Sequence, residues 1–187
     1  MARTFGLGRG KVFPAAKAGS LLSPLRRLVQ SPRRAVDRMG LDDDARALEI
    51  GCGPGYFSPE LARAVPRGRV VLLDLQLEML QLAHKRLADV ANAVYTQADA
   101  THLPFRSEWF DAVLVVLMLG EVPDQGACLS EIHRVLRRDG VLTITETRRD
   151  SDFIALPALR TRVEPLGFRF IDRRGIRWEY TARFARI

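Results

Sequence analysis

Three glycines at alternate positions, Gly51, Gly53 and Gly55, follow directly on the stretch Ala45–Ile50. Without a Cβ, such residues let the backbone turn sharply and approach a ligand closely. A helix starting after the turn aims its free N–H groups and positive dipole end at an anion such as a carboxylate. The spacing is G-x-G-x-G, and Tyr56 stands where a dinucleotide dehydrogenase fingerprint would carry its third glycine. Asp74 ends a second apolar stretch 19 residues after Gly55, and a carboxylate there can accept both hydroxyls of an adenosine ribose. Asp99 follows a third stretch and can accept from the exocyclic amine of adenine, while Leu75 and Met79 can supply an apolar bed for the base. Either acid alone reads as an ordinary helix cap. Both in register with the glycine turn point to a nucleoside-type ligand.

These residues need a scaffold of alternating strands and helices. Ala45–Ile50, Arg69–Asp74, Ala93–Gln97, Phe110–Val116 and Val141–Glu146 read as strands. Helices are expected from a capped start at Ser58-Pro59-Glu60, over Gln76–Val90 with Leu77, Leu80, Ala83 and Leu87 on one face, and over Gln125–Arg137 with Arg138-Asp139-Gly140 as its stop. Wholly apolar strands separated by helices imply a parallel sheet covered on both faces. A helix near Pro157–Leu166 and two strands, Phe168–Asp172 and Arg177–Arg186, close it with an antiparallel hairpin. The expectation is an α/β, Rossmann-like, seven-stranded, mostly parallel sheet. Residues 1–22 read as a flexible basic tail, 23–40 as an N-terminal helical cover broken near Pro32, and 41–187 as the functional domain.

With those motifs in order, the chain resembles the class I S-adenosylmethionine-dependent methyltransferases. The likeness is to the branch that includes the ubiquinone/menaquinone C-methyltransferases (methyltransferase type 11). Ala47-Leu48-Glu49-Ile50-Gly51-Cys52-Gly53-Pro54-Gly55 is similar to that family's adenosylmethionine loop, and Asp74-Leu75-Gln76-Leu77-Glu78-Met79-Leu80 to its signature after the second strand. Gln97-Ala98-Asp99-Ala100-Thr101-His102-Leu103-Pro104-Phe105 resembles its third-strand motif, and Phe110-Asp111-Ala112-Val113 and Leu136–Leu142 complete the set. The resemblance implies S-adenosylmethionine as cofactor, held by Glu49, Gly51, Gly53, Gly55, Asp74, Leu75, Met79, Asp99, Ala100 and Leu117. It implies in-line methyl transfer, in which alignment of the reactants does most of the work and no fixed catalytic residue is required. Where many relatives have His after the fourth strand, this chain has Glu121, which can serve as a base, orient a substrate, or simply stand as a helix-start carboxylate near Pro123.

Composition bounds the rest. The 187 residues suit one domain. No apolar run reaches the ~20 residues needed to span a bilayer. Cys52 and Cys128 lie far apart, and no His or Cys spacing indicates a metal site, so a cytoplasmic protein is expected, or one of an organellar matrix if the Arg-bearing N-terminus is a transit peptide. Residues 1–40 hold nine Lys/Arg against one acid, residues 41–147 ten against sixteen, and residues 148–187 ten against five. Basic ends can meet an anionic surface, and residues 21–39 pair leucines with Arg26, Arg27, Arg33 and Arg34 in the pattern of a helix lying on one. The favoured activity is methyl transfer to a small-molecule or lipid-like acceptor. RNA methylation at ribose or ring nitrogen is the alternative, with a non-catalytic adenosylmethionine-binding protein behind it. The motif of amino-group nucleobase methylases is absent, as is a Pro-Cys nucleophile pair.

Overall fold

A computed structural model describes residues 12–22 and 30–187. A 3-10 turn, Ala15–Lys17, leads into α1, Ala18–Leu21, and α2 spans Pro32–Asp37. Then come β1 (Arg46–Ile50), α3 (Ser58–Ala64), β2 (Arg69–Asp74), α4 (Leu77–Arg86), β3 (Ala93–Gln97) and β4 (Phe110–Val116). The rest is α5 (Gln125–Val135), β5 (Leu136–Thr147), α6 (Leu156–Val163), β6 (Phe168–Ile176) and β7 (Glu179–Arg186). The strands form one sheet in the order β3-β2-β1-β4-β5-β7-β6, parallel except for β7, which runs against both neighbours.

The burial pattern explains why the strands carry no polar alternation. Successive side chains of β1, β2 and β4 enter opposite layers: Leu48, Val71 and Val113 pack with α5 and α6, whereas Ala47, Leu72 and Leu114 pack with α2, α3 and α4. Leu72 and Leu114 are fully buried, each contributing roughly 1.5–3 kcal/mol. Strand order reverses beside β1, whose neighbours are β2 and β4, so a crevice opens outside the carboxyl ends of these strands.

Local details depart from the sequence reading. The helix expected to reach Arg137 ends at Val135, because Leu136 is buried and pairs with Phe110. Residues 137–140 then bulge out of β5 opposite Asp111, which accepts from the Arg46 backbone N–H at 2.6 Å and pairs with Arg137. Ser58 does not cap α3; its hydroxyl donates to Glu49 Oε2 at 2.7 Å, and Phe57 is the residue before the helix. Leu77, expected inward, is 49% exposed. Glu131 accepts from the Leu103 N–H and from Arg134, tying α5 to the chain between β3 and β4.

Of the expected basic tail and helical cover, residues 12–22 and 30–40 are described. Residues 12–22 form short helical turns that bond to the domain. Ser31 caps α2 by accepting from the Arg34 N–H, and Ala35, Val36 and Met39 are buried in the core. Most of the stripe of leucines assigned to the cover falls on residues 23–29, outside the described residues.

Gly68 stands where β2 enters the sheet, and a Cβ there would lie 2.0 Å from the Ala45 carbonyl oxygen. That atom is backbone and has no room to yield. Gly68→Ala should therefore destabilise the fold by about 1–3 kcal/mol, a drop that denaturant titration reads as an earlier midpoint with unchanged slope.

Candidate functional site

The glycine turn leaves β1 with three left-handed residues, Gly51 (φ 72°), Gly53 (φ 54°) and Gly55 (φ 77°). Each glycine serves a different neighbour. A Cβ on Gly51 would fall 2.5 Å from Met118 Cγ, and one on Gly55 would crowd Leu87 and Ala83 of the α4 region. At Gly53 the space is open except for Leu21 Cδ1 at 3.8 Å, so this position presents bare backbone to the crevice.

The amides of the turn are already committed. Gly51 and Cys52 donate to the Leu73 carbonyl at 2.8 and 3.0 Å, Gly53 to Asp74 Oδ2 at 2.8 Å, and Gly55 to the Cys52 carbonyl at 3.1 Å. Helix α3 begins only at Ser58 and has seven residues. The expected anion cradle at a helix start is thus replaced by close approach and by the fixing of Asp74.

Asp74 is 6% exposed, with Oδ2 on the Gly53 N–H and Oδ1 on the Gln76 N–H at 2.9 Å. A carboxylate has about four acceptor positions, so the backbone amides leave part of that capacity for a ribose hydroxyl. Burial pushes the Asp74 pKa up, and the amides of Gln76, Gly53 and Leu75 pull it back. Leu75 (41% exposed) and Leu77 lie open beside it, while Met79 is buried beneath. Asp99 is exposed, and its Oδ1 accepts from both the N–H and the hydroxyl of Thr101 at 2.8 Å. Ala100 packs partly into the core. A buried hydroxyl acceptor, open leucines, a bare glycine and a second carboxylate suit a nucleoside-bearing group.

Glu49 sits behind this surface. It is 2% exposed, hydrogen-bonded to Ser58, and burial lifts its pKa to about 8. Its carboxyl holds the start of α3 against the end of β1. Cys52 is buried with a raised thiol pKa, which leaves it no nucleophilic role.

On the β4 side, Leu117 adopts φ 52° and turns the chain toward Met118 and Glu121. Glu121 is half-buried, and burial, with Asp150, Asp152 and Asp74 nearby, pushes its pKa up to about 7. Its Oε2 accepts from the Phe13 N–H at 3.0 Å. Gln76 makes a second link to the same segment, donating to the Phe13 carbonyl at 2.8 Å and accepting from the Ala15 N–H at 3.2 Å. Residues 13–21 thereby lie across the crevice from Glu121 through Gln76 to Gly53.

Sequence reasoning missed Gln76, Leu77, Phe13 and Ala15 as parts of this surface. Gln76 lies inside the motif after the second strand; the others carry no chemical signal of their own.

A family model described as a methyltransferase domain matches residues 48–144. The chain is 31% identical over 140 residues to the demethylmenaquinone methyltransferase of Staphylococcus aureus (strain JH9), an alignment covering 74% of this chain and 56% of that protein. It thus spans little more than half the length of the curated relatives it matches. A solved S-adenosylmethionine-dependent methyltransferase from Aquifex aeolicus superposes with a TM-score of 0.88 at 19% identity, covering 94% of this chain and all of that one. The cyclase SpnF superposes at 0.75 and 17% identity, covering 83% and 80%. At such identities the likeness is one of fold, and a fold shared with a cyclase leaves chemistry to the site.

Proposed function

Because the chain belongs to the class I S-adenosylmethionine-dependent methyltransferases, with S-adenosylmethionine as cofactor, we propose that it transfers a methyl group to a small, lipid-like acceptor with a quinone-type ring. The observation carrying this reading is buried Asp74, fixed by the Gly53 amide beside open backbone and open leucines. The acceptor class follows the name of the S. aureus relative.

When bound, S-adenosylmethionine supplies a methyl group on a sulfonium sulfur, reactive enough that in-line alignment provides most of the rate. Asp74 would take the ribose hydroxyls, Leu75, Leu77 and Met79 would supply the apolar bed for the base, and Asp99 would take the adenine amine. Gly53 would admit the cofactor closely, while Gly51 and Gly55 let the turn close against Met118 and Leu87, with Glu49 bracing it through Ser58. Ala100 and Leu117 shape the walls. Residues 12–22 act as the cover, pinned by Gln76 and Glu121. The surface contact expected of residues 21–39 draws less support, since Ala35, Val36 and Met39 belong to the core.

Methylation of a ring carbon forms a carbon–carbon bond, breaks the sulfur–methyl bond and releases one proton. Glu121 accepts that proton. With its pKa at about 7, the carboxylate form grows from about a tenth at pH 6 to about nine-tenths at pH 8. Turnover should rise over that window and then level off. Glu121→Gln should lower kcat by about 10²–10⁴ and remove the rising limb. If kcat and its pH profile survive while KM for the cofactor rises, Glu121 is only an anchor of the cover.

The direct test is transfer of a labelled methyl group from S-adenosylmethionine to a reduced, prenylated demethylnaphthoquinone. Label in that product supports the reading. Label in RNA with none in the quinol product overturns it.

A further inference from the structure

The β6–β7 hairpin ends beside the carboxyl end of β5, at the same edge of the sheet as the crevice. Its tip is tied there: the Trp178 carbonyl accepts from the Arg148 N–H at 2.9 Å and from the Thr147 hydroxyl at 3.1 Å. Two large apolar side chains project from it, Ile176 at 64% and Trp178 at 58% exposure. Neither belongs to the core that buries Tyr180, Ala182 and Phe184 along the same hairpin.

Charge around the tip is one-sided. Arg148, Arg149 and Arg177 are exposed, and Arg34 lies close enough to act on Glu179 electrostatically. Of the acids at this edge, Glu179 meets Arg38 and Asp172 pairs with Arg183 and Arg174, while Asp150 and Asp152 hydrogen-bond within their own turn and keep their charges, outnumbered by the arginines around them. Net positive charge therefore faces outward around an aliphatic and an indole side chain.

We propose that the β6–β7 hairpin tip docks this protein on an anionic lipid bilayer, with Trp178 and Ile176 entering the interface and the surrounding arginines meeting lipid phosphates. Indole rings settle at the headgroup boundary, where their apolar body and N–H are both accommodated. A branched aliphatic beside one gains from acyl chains, whereas nucleic acid offers bases for Trp178 to stack on and nothing equivalent for Ile176. A second copy would set like arginines against each other. Docked this way, the crevice edge lies toward the membrane, where a lipid-borne acceptor resides. That last consequence rests on the acceptor reading above; the docking itself does not.

The test uses the full chain with Trp109→Phe, so that Trp178 alone reports. Vesicles of phosphatidylcholine, with and without one quarter phosphatidylglycerol, contain no acceptor, so the outcome is separate from the methyl-transfer assay. The expected result is co-sedimentation with the anionic vesicles, a blue shift of Trp178 emission, and weakening by added salt. Each basic side chain at such a surface is worth roughly fivefold in partition, so Arg148→Ser/Arg149→Ser/Arg177→Ser should cost on the order of a hundredfold. Ile176→Ser/Trp178→Ser should lose vesicle binding while cofactor affinity and melting temperature hold. Absence of vesicle binding by the unaltered hairpin, or equal binding by either variant, overturns the proposal. A Trp178 shift produced by RNA or by self-association, without vesicles responding, overturns it as well.

Discussion

Asp74→Ala should weaken binding of S-adenosylmethionine, or of its demethylated product, by about 2–5 kcal/mol, the usual cost of removing one partner of a buried, charge-bearing hydrogen bond. In affinity this is roughly thirtyfold to several thousandfold. Two losses combine. The ribose loses its acceptor, and the N–H groups of Gly53 and Gln76 lose theirs, so the turn itself is less well held. Asp74→Asn separates the two contributions, since its amide oxygen can serve one of the backbone donors but no longer both. Titration calorimetry should rank the wild type above Asp74→Asn and Asp74→Asn above Asp74→Ala, with all three folded. Unchanged affinity in a folded Asp74→Ala protein would remove the ribose assignment and with it the geometry proposed for the cofactor.

The second large effect is expected at Gly53. A valine there has room for its Cβ, since Leu21 Cδ1 at 3.8 Å is ordinary contact. What it obstructs is the ligand's approach. The φ of 54° also costs a side chain about 1–2 kcal/mol, more for a branched one, so a modest fall in melting temperature accompanies the loss. Gly53→Val should thus stay folded and show no detectable cofactor binding. Gly51→Ala presses elsewhere, on Met118 Cγ at 2.5 Å, a flexible side chain that can yield, and should keep near-normal cofactor binding. Normal cofactor binding by folded Gly53→Val would make the turn purely structural. Its loss of binding beside near-normal binding by Gly51→Ala would locate the obstruction in the crevice rather than in the backbone.

Much of the architecture was legible before any coordinates. The continuous apolar runs Val70–Leu73 and Ala112–Val116 read as strands buried on both faces, and the helices between them imply a parallel sheet. Alternation over Tyr180, Ala182 and Phe184 specified the closing antiparallel strand, and Gly167 at φ 87° ends the last helical stretch as its type demands. Local pattern was enough because each of these features is decided within a few residues. The G-x-G-x-G turn and the acid at the end of β2 were legible for the same reason.

Tertiary structure decided what depends on meeting partners distant in the chain. No local rule says that Leu136 pairs with Phe110 and ends a helix early, or that Ser58 donates to Glu49 rather than capping its own helix. Periodicity set Leu77 inside, but the orientation of α4 against β2 turned it out beside Asp74. The turn's amides looked free in sequence and are spent on Leu73, Asp74 and Cys52 once the strands pair. Above all, the contacts Phe13 to Glu121 and Gln76 to Phe13 and Ala15 span 108, 63 and 61 residues. Residue types fix which chemistry a side chain can perform, whereas a contact between residues so far apart exists only after the whole sheet has brought them to one edge.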